Sequence, residues 1–317
     1  MTINTVTGPI EADQLGPTLI HEHLSAADWS MRASFGLRFF QADKVVDAAV
    51  LMCDKVKREC GVTTIVDGTP INLGRDVRLI REVAERTGIT FIASTGFYHT
   101  PEPWLAGFRE DDLVELMLGE YRDGIDGTGI RPGIMKCAVG DLGITPLVRK
   151  LLTATARVAA QTGLPVFCHH TVANRDGGDI LDIFEAHGAP LNHVILGHSG
   201  DSDDLGYLTA MLDRGCYLGM DRFAYCDMTL PLDRRVATIA ALHRAGHGDR
   251  LLLAHDLVVY GFSGSWDEFV ATDPLQRDPD LTFIHRQVRP ALLDAGLTQA
   301  DFDAMIEQNP RRFFAGE

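Results

Sequence analysis

The chain has 317 residues, 45% hydrophobic and 23% charged, the balance of a globular enzyme rather than of a disordered or fibrous chain. Its formal net charge of −15 argues against nucleic acid or an anionic membrane as main partner, since both demand a basic surface. No apolar stretch approaches the roughly 20 residues that span a bilayer, and residues 1–16 lack a signal-peptide pattern, so a cytoplasmic protein is expected.

Taken in chain order, short apolar runs alternate with longer amphipathic ones. Strands are predicted at 17–23, 62–67, 89–95, 132–138, 165–170, 193–198, 216–221 and 251–256. Their near-continuous apolar character predicts strands covered on both faces, as in a parallel sheet. Helices are predicted between them, at 43–60, 75–87, 145–162, 178–187, 203–214 and 233–246. Several stop at a glycine: Gly61, Gly88, Gly163, Gly188 and Gly215. A polar and aromatic loop, 257–280, precedes helices at about 282–295 and 299–308. Eight strands alternating with helices predict a (β/α)8 TIM barrel of the α/β class, a single domain over residues 1–317. The six cysteines include no Cys-x-x-Cys pair and read as reduced thiols, several of them buried in strands.

The polar residues fall where a barrel places its chemistry, at the C-terminal ends of the strands. His21 and His23 lie two apart on the first strand and face the same way, with Glu22 opposite. Lys136 ends the run Gly-Ile-Met-Lys. It reads either as a cation for a phosphate or carboxylate, or as a lysine converted by carbon dioxide to a carbamate that bridges two metals. His169 and His170 are adjacent and cannot both point inward; spacing alone does not choose. His198 ends the sixth strand, whereas His193 at its other end reads as structural. Asp256 ends the most apolar strand, and a buried carboxylate there must be paired or metal-bound. It is also placed to take a proton from water.

Taken together these residues resemble the phosphotriesterase family of the amidohydrolase superfamily, most closely its phosphotriesterase-like lactonases. Matching segments include Thr18-Leu19-Ile20-His21-Glu22-His23-Leu24, Gly74-Arg75-Asp76, Gly197-His198-Ser199-Gly200-Asp201, Gly219-Met220-Asp221-Arg222-Phe223 and Ala254-His255-Asp256. The resemblance implies two divalent metal ions, with His21, His23 and Asp256 on the more buried one and His169 and His198 on the other. Carboxylated Lys136 and a hydroxide would bridge them. The family's histidine follows its strand proline by four residues, which selects His169; His170 stands where relatives have a small residue. Tyr98 matches a lactonase tyrosine beside the hydroxide, and Arg222 an arginine on the seventh βα-loop. Leu257 and Val258 replace the aromatic residue and cysteine usual after Asp256, and loops 24–41 and 257–280 match poorly.

The resulting expectation is a hydrolase in which hydroxide attacks a carbonyl or phosphoryl group polarised by metal, with Asp256 taking the proton. Zinc is the default metal for this mixed nitrogen and oxygen set, with Mn, Fe or Co as alternatives. Lactones or other carboxylic esters rank first as small-molecule substrates, then phosphotriesters, then phosphorylated lactones and amides. A non-catalytic ligand-binding barrel is the rival from another class. The resemblance also implies a homodimer.

Overall fold

The predicted apolar runs become strands because each has two faces to bury. The computed structural model describes Thr2–Gly261 and Pro274–Glu317. A small antiparallel pair, β1 (Thr2–Ile3) and β2 (Ile10–Glu11), precedes a nine-stranded parallel sheet. Its strands are β3 (Thr18–Ala26), β4 (Thr64–Asp67), β5 (Thr90–Gly96), β6 (Ile134–Ala138), β7 (Val166–His169), β8 (Val194–Gly197), β9 (Tyr217–Met220), β10 (Leu251–Leu253) and β11 (Val258–Gly261).

One inward residue from each of eight strands joins a single interior cluster: Ile20, Val66, Ile92, Ile134, Phe167, Ile195, Tyr217 and Leu252. Such a set can meet only if the sheet curls into a cylinder. Alternate residues, such as Leu19, Ile65, Met135, Cys168 and Leu218, point outward into the layer beneath the helices. Phe313 and Phe314 of the terminal helix cover the lower end of the interior. The α/β barrel expected from the sequence is the fold.

Three details differ from the sequence reading. The eighth predicted strand ends at Leu253; residues 254–257 turn, and β11 then pairs with β3. Asp256 is therefore in a turn, with φ 56°, rather than at a strand end. Second, the register shifts between Leu19 and Glu22. Ile20 joins the interior cluster, yet the His21 ring also lies 4.0 Å from the interior Phe167 ring. A bulge does this by inserting one residue into the alternation. Third, helices Pro103–Gly107 and Glu110–Asp123 fill the stretch between β5 and β6, where none was predicted, and the terminal helical segment continues to Ala315.

Three of the five predicted glycine stops, Gly61, Gly88 and Gly163, cap their helices in the left-handed conformation, whereas the helices before Gly188 and Gly215 are capped by His187 and Asp213. All six cysteines are free, and Cys137, Cys168 and Cys216 are buried. Among the described residues no helix is long and apolar enough to cross a membrane. Residues 262–273 of the predicted loop lie outside the described residues.

Candidate metal centre

The polar groups gather at the end of the interior where the strands finish. His21 and His23, on β3, have ring centroids 5.0 Å apart, and their Nε2 atoms lie 3.5 and 3.2 Å from Asp256 Oδ1. Lys136, on β6, is fully buried; its Nζ lies 2.6 Å from His21 Nε2 and 4.2 Å above the Phe167 ring. His169, ending β7, presents Nδ1 at 2.7 Å from His198 Nε2. His198 follows β8 with φ 62°. Ligand atoms of His21, His198 and Asp256 all lie within 4.8 Å of one another.

Asp221, which the sequence reading did not single out, organises the set. Its Oδ2 meets His21 Nδ1 at 2.9 Å, and its Oδ1 meets His198 Nδ1 at 3.0 Å and the His198 amide at 2.8 Å. Burial opposes its ionisation, but the His198 and His21 imidazoles outweigh that and hold the carboxyl below its usual range. As a carboxylate it only accepts, so both Nδ1 atoms donate and both Nε2 lone pairs face inward. That is the tautomer a metal requires, fixed by a hydrogen-bonded carboxylate behind the ring. His23 Nδ1 lies 2.8 Å from Thr69 Oγ1, a hydroxyl that can either accept or donate. A signal for Asp221 existed: it follows an apolar strand just as Asp256 does.

The electrostatics favour neutral bases around an anion. Burial, with the Lys136 charge behind it, lowers the His21 imidazole to about 3. Burial, then His198, lowers His169. Burial brings Lys136 down to about 8. Asp256 would be raised by burial, yet His21, His198 and His23 together hold it well below the usual carboxylate range. Imidazole lone pairs, a carboxylate and an amine converging where every group but Asp256 is buried suit divalent cations.

Tyr98 and Arg222 both reach this cluster. Tyr98 Oη lies 3.4 Å from His169 Nδ1, and its backbone amide donates to Asn72 Oδ1 at 2.6 Å. Arg222, with φ 60°, places Nε 3.5 Å from Asp256 Oδ2 and Nη1 2.9 Å from Asp201 Oδ2. His170 turns outward: its Nδ1 donates to the Gly197 carbonyl at 2.6 Å. His193 lies buried at the other end of β8, against Gly316.

A model of the phosphotriesterase family matches residues 1–314. This chain belongs to the phosphotriesterase family. It is 35% identical to a phosphotriesterase homology protein of Mycobacterium tuberculosis, over 98% of this chain and 97% of that one. It is 31% identical to an aryldialkylphosphatase of Saccharolobus solfataricus, over 96% and 97%. An N-acetyltaurine hydrolase of Rattus norvegicus is 29% identical over 98% and 97%. The solved structure of the phosphotriesterase from Mycobacterium tuberculosis superposes with a TM-score of 0.89 at 34% identity, covering 99% of this chain and 98% of that one. The chain is thus a hydrolase of a family that depends on two metal ions.

A cavity of about 580 Å³ is lined by Trp29, Ile71, Asn72, Arg75 and Trp104 among others, and by none of the residues of the cluster. One of its lining residues, Asn72, also holds the Tyr98 backbone.

Proposed function

We propose that the chain hydrolyses lactones or other carboxylic esters at two divalent cations, zinc by default, held by His21, His23, Lys136, His169, His198 and Asp256. The single observation carrying this reading is the convergence of these six side chains from five separate segments, with the Nε2 atoms of His21 and His198 facing inward. The cations would polarise the substrate's carbonyl or phosphoryl oxygen and bring the pKa of a water held there toward neutrality.

The chain supplies the rest. Asp256 takes the proton of the attacking water; the His21, His198 and His23 imidazoles hold its carboxylate ionised until then, and Arg222 Nε lies 3.5 Å from its Oδ2. Tyr98 Oη, on the same side as His169, donates a hydrogen bond to the substrate as negative charge develops. Phe167 and the buried strand ends exclude water other than the nucleophile.

Lys136 takes part as a carbamate. Its neutral Nζ attacks carbon dioxide, a nitrogen–carbon bond forms, one carbon–oxygen π pair moves to oxygen, and a proton leaves the nitrogen. The product is an anion with two oxygens where an ammonium would repel two cations. In support, Nζ meets His21 Nε2 and the Phe167 ring rather than a carboxylate.

Relatives named for aryldialkylphosphatase and N-acetyltaurine hydrolase activity make phosphotriester and amide cleavage the competing readings for this same site. A panel of lactones, an aryl dialkyl phosphate and an N-acyl amino acid decides between them. Turnover is expected highest on a lactone and weaker on the phosphate, with His198→Ala abolishing both. A response confined to the N-acyl substrate would overturn the choice. The expected homodimer would draw on the exposed Trp29, Phe35, Leu37, Trp104 and Phe108, and sedimentation checks it.

A further inference from the structure

Asp256 has to be held in an unusual place. It sits in the four-residue turn between β10 and β11, in the left-handed region at φ 56°, where a side-chain-bearing residue is disfavoured. No regular ladder runs through residues 254–257. Even so, three consecutive amides across the turn are satisfied, all by β3.

The Asp256 amide donates to the His21 carbonyl at 3.1 Å. The other two go to one side chain. The His255 amide donates to Glu22 Oε1 at 2.9 Å, and the Leu257 amide donates to Glu22 Oε2 at 2.8 Å. Glu22 Oε1 also accepts from His255 Nδ1 at 2.7 Å. His255 Nε2 in turn accepts the Ile284 amide at 3.2 Å, which fixes the Nδ1–H tautomer and ties the turn to the helix behind it. The His255 carbonyl accepts the Ala224 amide at 3.1 Å, from the loop that carries Arg222. Glu22 and His255 are both buried.

From this geometry we infer that Glu22, assisted by His255, is the positioning residue for Asp256. The inference rests on the metal-centre reading above and adds a residue to it. The bulge in β3 makes the arrangement work, because it sends His21 and His23 inward while Glu22 points out of the barrel to grip both sides of the turn. One strand thereby supplies two donors directly and sets the third through the backbone. A carboxylate is required: two oxygens must accept three N–H groups, and an amide in its place would turn a donor toward a donor.

The test uses zinc-loaded Glu22→Gln, which keeps size and removes one acceptor. Zinc release to a colorimetric chelator is expected to quicken about 10–100-fold, the range for losing a group that orients a ligand. The kcat for lactone or phosphate ester should fall while KM changes little. In an Asp256→Ala background the same substitution should change zinc release by less than about twofold, because the residue it positions is gone. His255→Gln should show the same dependence on Asp256 more weakly, and serves if Glu22→Gln does not fold. If wild type retains two zinc ions and Glu22→Gln releases them at the wild-type rate, the inference is overturned. Equal effects with and without Asp256 would overturn it too, since those describe a general structural role. A wild type that binds no zinc would instead bring down the metal-centre reading.

Discussion

Asp221 shows how a residue outside the donor set governs it. The carboxylate touches His21 and His198 at once, and its two oxygens set the tautomer of both rings. Asp221→Asn keeps the shape but replaces one acceptor with a donor, so one imidazole must turn its lone pair outward. Metal affinity should drop about 10–100-fold, read by titration against a competing chelator, and the metal-free protein should unfold at a lower midpoint because a buried donor then faces a donor. At this scale the sequence was most informative about the candidate ligands and least about the groups that touch them. His21, His23, Lys136, His198 and Asp256 stood out because buried ionisable groups at strand ends have few other uses. Glu22, Thr69, Asp201 and Asp221 did not, because an acidic or hydroxyl residue beside a ligand looks the same whether it orients a ring or caps a loop. His170 likewise needed its partner, the Gly197 carbonyl, to be visible before it could be set aside.

At the level of elements, positions of close approach decide how the strands meet. Gly96 ends β5 opposite Lys136 in register, with φ 116°, and a β-carbon there would collide with the Lys136 carbonyl. Gly96→Ala is therefore expected to destabilise the protein by about 1–3 kcal/mol or more, from overpacking and backbone strain together. Urea unfolding monitored by circular dichroism measures it, and zinc retention should fall with it because Lys136 moves. Most strands and helices were legible from period and from glycine stops. The ones that were missed have physical reasons. The helix Glu110–Asp123 carries many charged residues, three of them in its first turn, and buries only Leu113, Val114 and Met117, so its apolar stripe is narrow. The break after Leu253 was hidden because residues 251–258 are apolar almost throughout, a pattern that a turn packed inside the barrel shares with a strand.

For the molecule as a whole, burial of neutral imidazoles couples folding to pH. His285 is packed beside Phe302, and among the described residues neither ring nitrogen has a hydrogen-bond partner. Burial, with His255 and Arg289 adding to it, lowers its pKa from 6.5 to about 4. The unfolded chain takes a proton below about pH 6.5, while the folded one declines it until about pH 4. Stability is therefore lost as pH falls through that window, by about 3 kcal/mol at its lower end. Denaturation midpoints at pH 7, 5 and 4 should show this slope in the metal-free protein, and a shallower one in His285→Leu.

By itself the sequence determined the alternation of strand and helix, the apolarity of both strand faces and the residue types of the centre, because each of these is local in the chain or periodic along it. Only the tertiary structure decided the bulge that turns His21 inward after Ile20, the turn that carries Asp256, and the contacts of the Glu22 and Asp221 carboxylates with the His255 and Leu257 amides and the His21 and His198 rings. Those depend on hydrogen bonds between segments as much as 235 residues apart, and no local pattern encodes which distant amide or imidazole a given carboxylate will meet.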